Sequence, residues 1–184
     1  MSSIRLRFYF KIFIFTMVFF VLCSFQTSFW PNVIPWVPSP QLWLLMIFFI
    51  SLRWTPLFTI FYIYFLGFCL TRFSQIPLKM AWTTLLVTFG LLSVFKDRVR
   101  LSGALSFSFF TLLGSIVFEF CYVGLSRIIE SNPTSVLFLE RSVQILVNFI
   151  FSYVAYTFFD WLDQFFYNEN IWSKTPEKSD GVEQ

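Results

Sequence analysis

Apolar residues in this chain come in long unbroken runs, and polar residues gather in the short stretches between them. An apolar helix crosses a bilayer with about 20 residues, each rising about 1.5 Å. That ruler predicts single spans over residues 8–29, 78–95, 103–126 and 138–159. One stretch, 41–71, does not fit. Its roughly 31 residues are too many for one upright helix and too few for two complete ones.

The middle of that stretch, "FFISLRWTPLFTIFYIYF" over residues 48–65, holds Arg53 and the pair Thr55-Pro56. Proline lacks an N–H and pushes the residue before it out of helical geometry, so "RWTP" predicts a tight turn after which Pro56 opens a new helix. The stretch then divides into two short spans, 41–53 and 55–71, for a total of six.

Charge placement favours the same division. With six spans and an inside N-terminus, Arg5, Arg7, Lys11, Arg53, Lys96, Arg98, Arg100, Lys174 and Lys178 fall in the cytoplasm, leaving Arg72, Lys79, Arg127 and Arg141 outside. With five spans the cluster "KDRVR" at 96–100 moves outside. Arg53 is then stranded near mid-bilayer at a cost of about 2.5 to 3.5 kcal/mol. The expectation is an all-α, polytopic bundle of six transmembrane helices in residues 1–166, both termini cytoplasmic, followed by a polar tail, 167–184, with the composition of a disordered segment.

Composition agrees with a membrane protein. Hydrophobic residues make up 57% and charged residues 12%, too little charge to cover a water-facing surface. The 29 phenylalanines and seven tryptophans suit lipid-facing helices with interfacial anchors. The basic, apolar N-terminus lacks an A-x-A cleavage site and reads as an uncleaved first span. The connection after it, "PNVIPWVPSPQ", carries four prolines and no charge, which makes it stiff and extended.

Candidate chemistry is sparse. Without histidine, and with Cys23, Cys69 and Cys121 isolated in apolar runs, imidazole or thiolate metal sites and a disulfide framework have no support. Glu119 is the single carboxylate well inside a predicted span. Arg141, Gln144, Asn148, Ser152 and Ala155 recur at spacings that place them on one face of the last span. If the last two spans are neighbours, Asn148 matches the depth of Glu119, and a hydrogen bond from Asn148 or Gln144 to Glu119, with Arg141 above, would satisfy the group. Such residues serve as helix packing glue or as a substrate or proton site; a relay usually needs more than one ionisable group, which favours packing. Gly90, Gly103, Gly114 and Gly124 in or beside the fourth and fifth spans suggest close helix approach.

At the inner surface, Lys96, Arg98 and Arg100 form a topology signal next to anionic headgroups, and Asp160 and Asp163 are expected to face the cytoplasm, where a partner could read them. There is no serine nucleophile with a base, no paired intramembrane aspartate and no HExxH, so the pattern of an enzyme is missing. No cofactor is called for, and nothing marks a nucleic-acid partner.

The layout resembles the MreD family of rod shape-determining proteins. The matching stretches are "FQTSFWP" closing the first span, "PSPQLWLLMIFFISLRWTP" through the second and third, "GFCLTRFSQIPLKMAW" into the fourth, "IVFEF" in the fifth and "LVNFIFSYVAYTFFDWLDQFF" in the sixth. Together they cover most of residues 1–166. Two departures stand out: Gln41 occupies a position that is usually acidic in the family, and Thr71 and Arg72 stand where an aspartate is usual. The resemblance implies a non-enzymatic inner-membrane scaffold of bacterial cell elongation. Such a scaffold pairs with the single-span coiled-coil protein MreC and helps connect MreB filaments to RodA and a penicillin-binding transpeptidase. Glu119 and Asn148 match the family's glutamate and asparagine and become candidate packing or interface residues. The family is thought to share its bundle with the S components of energy-coupling-factor vitamin transporters, which supplies the alternative reading. Those dock through Ala-x-x-x-Ala on the first span; here Ala81, Ala104 and Ala155 all lie elsewhere.

Overall fold

A computed structural model describes residues 2–74, 76–96, 103–130 and 138–168. Among these, α1 opens as Ser2–Ser24 and continues without a break through a π-helical turn, Phe25–Phe29, to a last α-helical turn, Trp30–Val33. The others are α2, Leu42–Arg53; α3, Pro56–Leu70; α4, Leu78–Lys96; α5, Ala104–Ile129; and α6, Phe138–Asn168. The described residues hold four helical stretches long and apolar enough to cross a membrane, Phe8–Val33, Leu78–Phe95, Ala104–Ile129 and Phe138–Phe166. The two shorter helices, α2 and α3, are also apolar. The chain is an all-α polytopic membrane protein.

The ambiguous stretch is two helices. Trp54 and Thr55 are extended, Pro56 is the first residue of α3, and the backbone ladder stops at Trp54 N–H to Ile50 C=O and restarts at Thr59 N–H to Thr55 C=O. At 12 residues, α2 covers about 18 Å, well short of a hydrocarbon core of about 30 Å. It does not have to match that thickness, because it is not in contact with lipid: every residue from Leu42 to Ser51 is buried. A helix that is apolar all round belongs inside protein or lipid, and here the other five helices all touch it. Around it, α3, α4, α5 and α6 pack each against the next in sequence, and α1 closes the ring beside α2 and α3.

Aromatic rings fill the centre. Phe49 of α2 stacks on Phe15 of α1 at 6.5 Å and meets Phe107 of α5 at 6.2 Å, Tyr156 of α6 at 6.1 Å and Phe159 of α6 at 5.5 Å. Such ring pairs add about 0.5–1.5 kcal/mol each beyond the area they bury. Two glycines let the layers close. A Cβ on Gly114 of α5 would lie 2.7 Å from Phe48 of α2, and one on Gly67 of α3 would lie 2.7 Å from Trp82 of α4. Trp82 stacks on Tyr64 with centroids 3.9 Å apart and donates its indole N–H to the Tyr64 carbonyl at 2.8 Å.

The last helix runs further than its apolar run predicts. The expected span ended at residue 159 and the tail began at 167; α6 instead continues to Asn168. Asp160 and Asp163, which end the apolar pattern, are neutralised by cations of α2 and α1, so the helix continues past them. Residues 169–184 lie outside the described residues.

Gly67→Ala is expected to force Trp82 off Tyr64 and destabilise the bundle by about 1–3 kcal/mol. Gly124→Ala, inside α5 where a Cβ meets nothing within 4 Å, is expected to hold or raise the melting temperature, since Ala favours the helix over Gly. Thermal melts of the two variants in mild detergent check this; equal behaviour would show that the α3–α4 contact has slack.

Candidate functional site

Two polar layers cap the buried helix. Asn148 and Asp160 are both on α6, and the step of twelve positions from one to the other rises about 18 Å, the length of α2. One layer therefore meets the N-terminus of α2 and the other its C-terminus.

The upper layer begins with the chain entering the bundle. Residues 34–41 form no helix or strand, yet Pro40 is buried and Ser39 and Gln41 are half-buried. Irregular backbone at membrane depth must find partners in protein. It finds them on α6. The Asn148 side-chain oxygen accepts the Gln41 backbone N–H at 2.8 Å, its amide nitrogen donates to Gln41 Oε1 at 3.1 Å, and Gln144 donates to the Ser39 carbonyl at 2.6 Å. Asn148 is fully buried and also donates to Ser115 Oγ of α5 at 3.3 Å, while Gln144 donates to Asn148 Oδ1 at 3.3 Å. The orphan donors at the start of α2 are further met by Leu42 N–H to Pro40 C=O and Leu44 N–H to Gln41 C=O, both at 2.9 Å.

Glu119, 8% exposed, lies beside this layer. One carboxylate oxygen pairs with Arg141 Nη1, and the other accepts from Gln41 Nε2 at 3.4 Å. The Arg141 guanidinium also stands over the Tyr122 ring at 5.6 Å. The charge is thus compensated from two directions.

All four residues expected to meet, Glu119, Arg141, Gln144 and Asn148, come together. Their linkage differs in detail from the expected one: Gln41 stands between Glu119 and Asn148, with its Nε2 on the first and its Oε1 on the second. Sequence reasoning noted Gln41 as a departure from a family pattern without placing it in the site. Ser115 had a usable signal, four residues before Glu119 on the same helix face. Ser39 had none, since it contributes a backbone carbonyl.

The lower layer uses Asp160 and Asp163 inside the molecule. Asp160 pairs with Arg53, which also donates to Tyr156 Oη at 3.3 Å, and Gln164 donates to Asp160 Oδ2 at 2.7 Å. Lys11 of α1 lies 2.5 Å from Asp163 Oδ1 and above the Trp54 ring at 5.5 Å. The cytoplasmic contact expected of these two carboxylates is therefore shared with intramolecular ion pairs that tie α1 and α2 to α6. The side chain of Lys96, and Arg98 and Arg100 altogether, lie outside the described residues. Among the described residues no group of three or more His, Cys, Asp or Glu side chains is placed to hold a metal ion.

Comparisons with protein-family models, with curated proteins and with solved structures give no match to this chain.

Asn148→Ala leaves the Gln41 N–H buried without its acceptor and is expected to cost about 1–3 kcal/mol, read as a lower melting temperature in detergent. Arg141→Gln is expected to destabilise the protein more in the presence of Glu119 than in a Glu119→Gln background. The double-mutant cycle should return a coupling of about 0.5–3 kcal/mol, and a coupling of zero would mean the pair contributes nothing to stability.

Proposed function

We propose that this chain is a non-enzymatic scaffold of the bacterial inner membrane, of the MreD kind, with both termini in the cytoplasm. One observation carries the reading: the intramembrane polar groups Glu119, Arg141, Gln144 and Asn148 are bonded to one another and to the chain's own backbone, as packing glue would be. A scaffold also needs surface for a partner's span. The membrane-facing sides of α1 and α6 offer Phe10, Phe13, Tyr153 and Trp161, all more than half exposed. The partner this reading implies is a single-span, MreC-like coiled-coil protein, with MreB, RodA and a penicillin-binding transpeptidase reached through it.

The second reading, an S component of a vitamin transporter, draws on the position of the same cluster. Polar groups converge beneath the proline-rich connection at one end of the bundle, where a small substrate would have to enter. The two readings differ in what the protein holds in the cell.

Gentle-detergent purification of the tagged protein from its own cells, followed by mass spectrometry, is expected to recover a single-span coiled-coil protein with cell-elongation components. Recovery of a transmembrane transport subunit with two ATPases would instead make the chain an S component.

A further inference from the structure

Cys23 and Cys69 are distant in sequence, and the packing of α1 beside α3 brings their positions together. Contacts between the two helices ascend both in the same direction: Phe8 meets Phe58 with ring centroids at 5.0 Å, and further along the Thr16 and Tyr62 hydroxyls lie 2.9 Å apart. The helices therefore run parallel. Seven residues make almost two full turns and rise about 10.5 Å, so the position seven beyond a contact residue returns to the same face at the next level. Seven beyond Thr16 is Cys23, and seven beyond Tyr62 is Cys69.

Burial and electrostatics agree with this register. Cys23 is 1% exposed and Cys69 8%, both in the one apolar core. The Cys69 thiol is close enough to interact through space with Cys23 and with Tyr62, the residue that touches Thr16. Both cysteines are free thiols in the structure. Both also stand near the same end of the bundle: the π-helical turn begins two residues after Cys23, and α3 ends one residue after Cys69, at Leu70.

We infer that Cys23 and Cys69 are the two halves of a disulfide that ties the far half of α1 to α3. Below that level α1 is held by the Lys11–Asp163 ion pair and the Thr16–Tyr62 hydrogen bond. A covalent bond beyond them closes residues 23–69, with α2 among them, into one loop and so restricts the unfolded chain. The bond forms by thiol–disulfide exchange with an oxidant that is itself a protein disulfide. The Cys69 thiolate, the less buried of the two, attacks one sulfur of the oxidant; the Cys23 thiolate then displaces that sulfur from the mixed disulfide. The two protons lost by the thiols go to the oxidant, which accepts two electrons and leaves as a dithiol. With both termini cytoplasmic, as the scaffold reading has them, this end of the bundle faces the oxidising side of the membrane; that clause alone rests on that reading.

The test uses the full chain with Cys121→Ala in mild detergent, oxidised by copper(II) phenanthroline in air. Free thiols are then counted after denaturation by gel shift with a polyethylene-glycol maleimide. The reduced protein is expected to carry two adducts and the oxidised monomer none, with both restored by dithiothreitol. Cys23→Ser and Cys69→Ser in the same background should each keep their one adduct on the monomer after oxidation. The oxidised protein is expected to melt at a higher temperature than the reduced one, and reductant should reverse the shift. Two adducts persisting on the oxidised monomer, thiol loss only through covalent dimers, or an oxidised form that melts no higher than the reduced one overturns the inference. Because the measurement uses purified protein, it fails independently of the cellular co-purification that decides the scaffold reading.

Discussion

A backbone N–H or C=O in hydrocarbon must be hydrogen-bonded inside the protein, and the architecture of this molecule follows from meeting that demand where the chain enters one short helix. Helix α2 covers about 18 Å, short of a hydrocarbon core of about 30 Å, so its two ends cannot both reach water and its buried start depends on protein groups. At its start, Asn148 and Gln144 satisfy the entering chain. At its end, Arg53 reaches Asp160 and Tyr156. Both sets of partners sit on α6, twelve residues apart, so the same helix fixes the depth and register of α2 at each end.

With α2 fixed, the remaining packing is aromatic and apolar. Phe49 collects rings from three helices, and Gly114 admits the Phe48 ring close to the α5 backbone. In lipid there is little hydrophobic drive to bring helices together, so close van der Waals fit of this sort, with a few polar contacts, has to hold the bundle. Helix α1 shows the same logic at lower density: Thr16 bonds to Tyr62 at 2.9 Å in mid-membrane, and Lys11 pairs with Asp163 at the end.

The upper polar layer combines structural and functional possibilities in the same side chains. Glu119 and Arg141 compensate each other's charge, and the amides of Gln144 and Asn148 bond to the main chain entering α2, Asn148 also reaching Ser115 of α5.

The sequence by itself determined the number of helices and the break between α2 and α3, since Pro56 restarts a helix after the extended pair before it and apolar runs of this length must be helical in lipid; the end of α6, at Asn168, lies beyond what its apolar run predicts. It also determined that Arg141, Gln144 and Asn148 share one helix face and that Asn148 matches the depth of Glu119 once the last two spans are neighbours, because position along a helix is fixed by rise and rotation per residue. Tertiary structure decided which helix is enclosed. The run Leu42–Ser51 is no more apolar to the eye than its neighbours, and its burial depends on all five others closing around it. Tertiary structure also decided the bonding within the site, because Ser39 and Gln41 reach α6 across more than a hundred residues of chain through a backbone carbonyl, a backbone N–H and one amide side chain. Hydropathy and helical spacing register neither backbone groups nor the direction in which a loop turns, so that contact exists only once the bundle has formed.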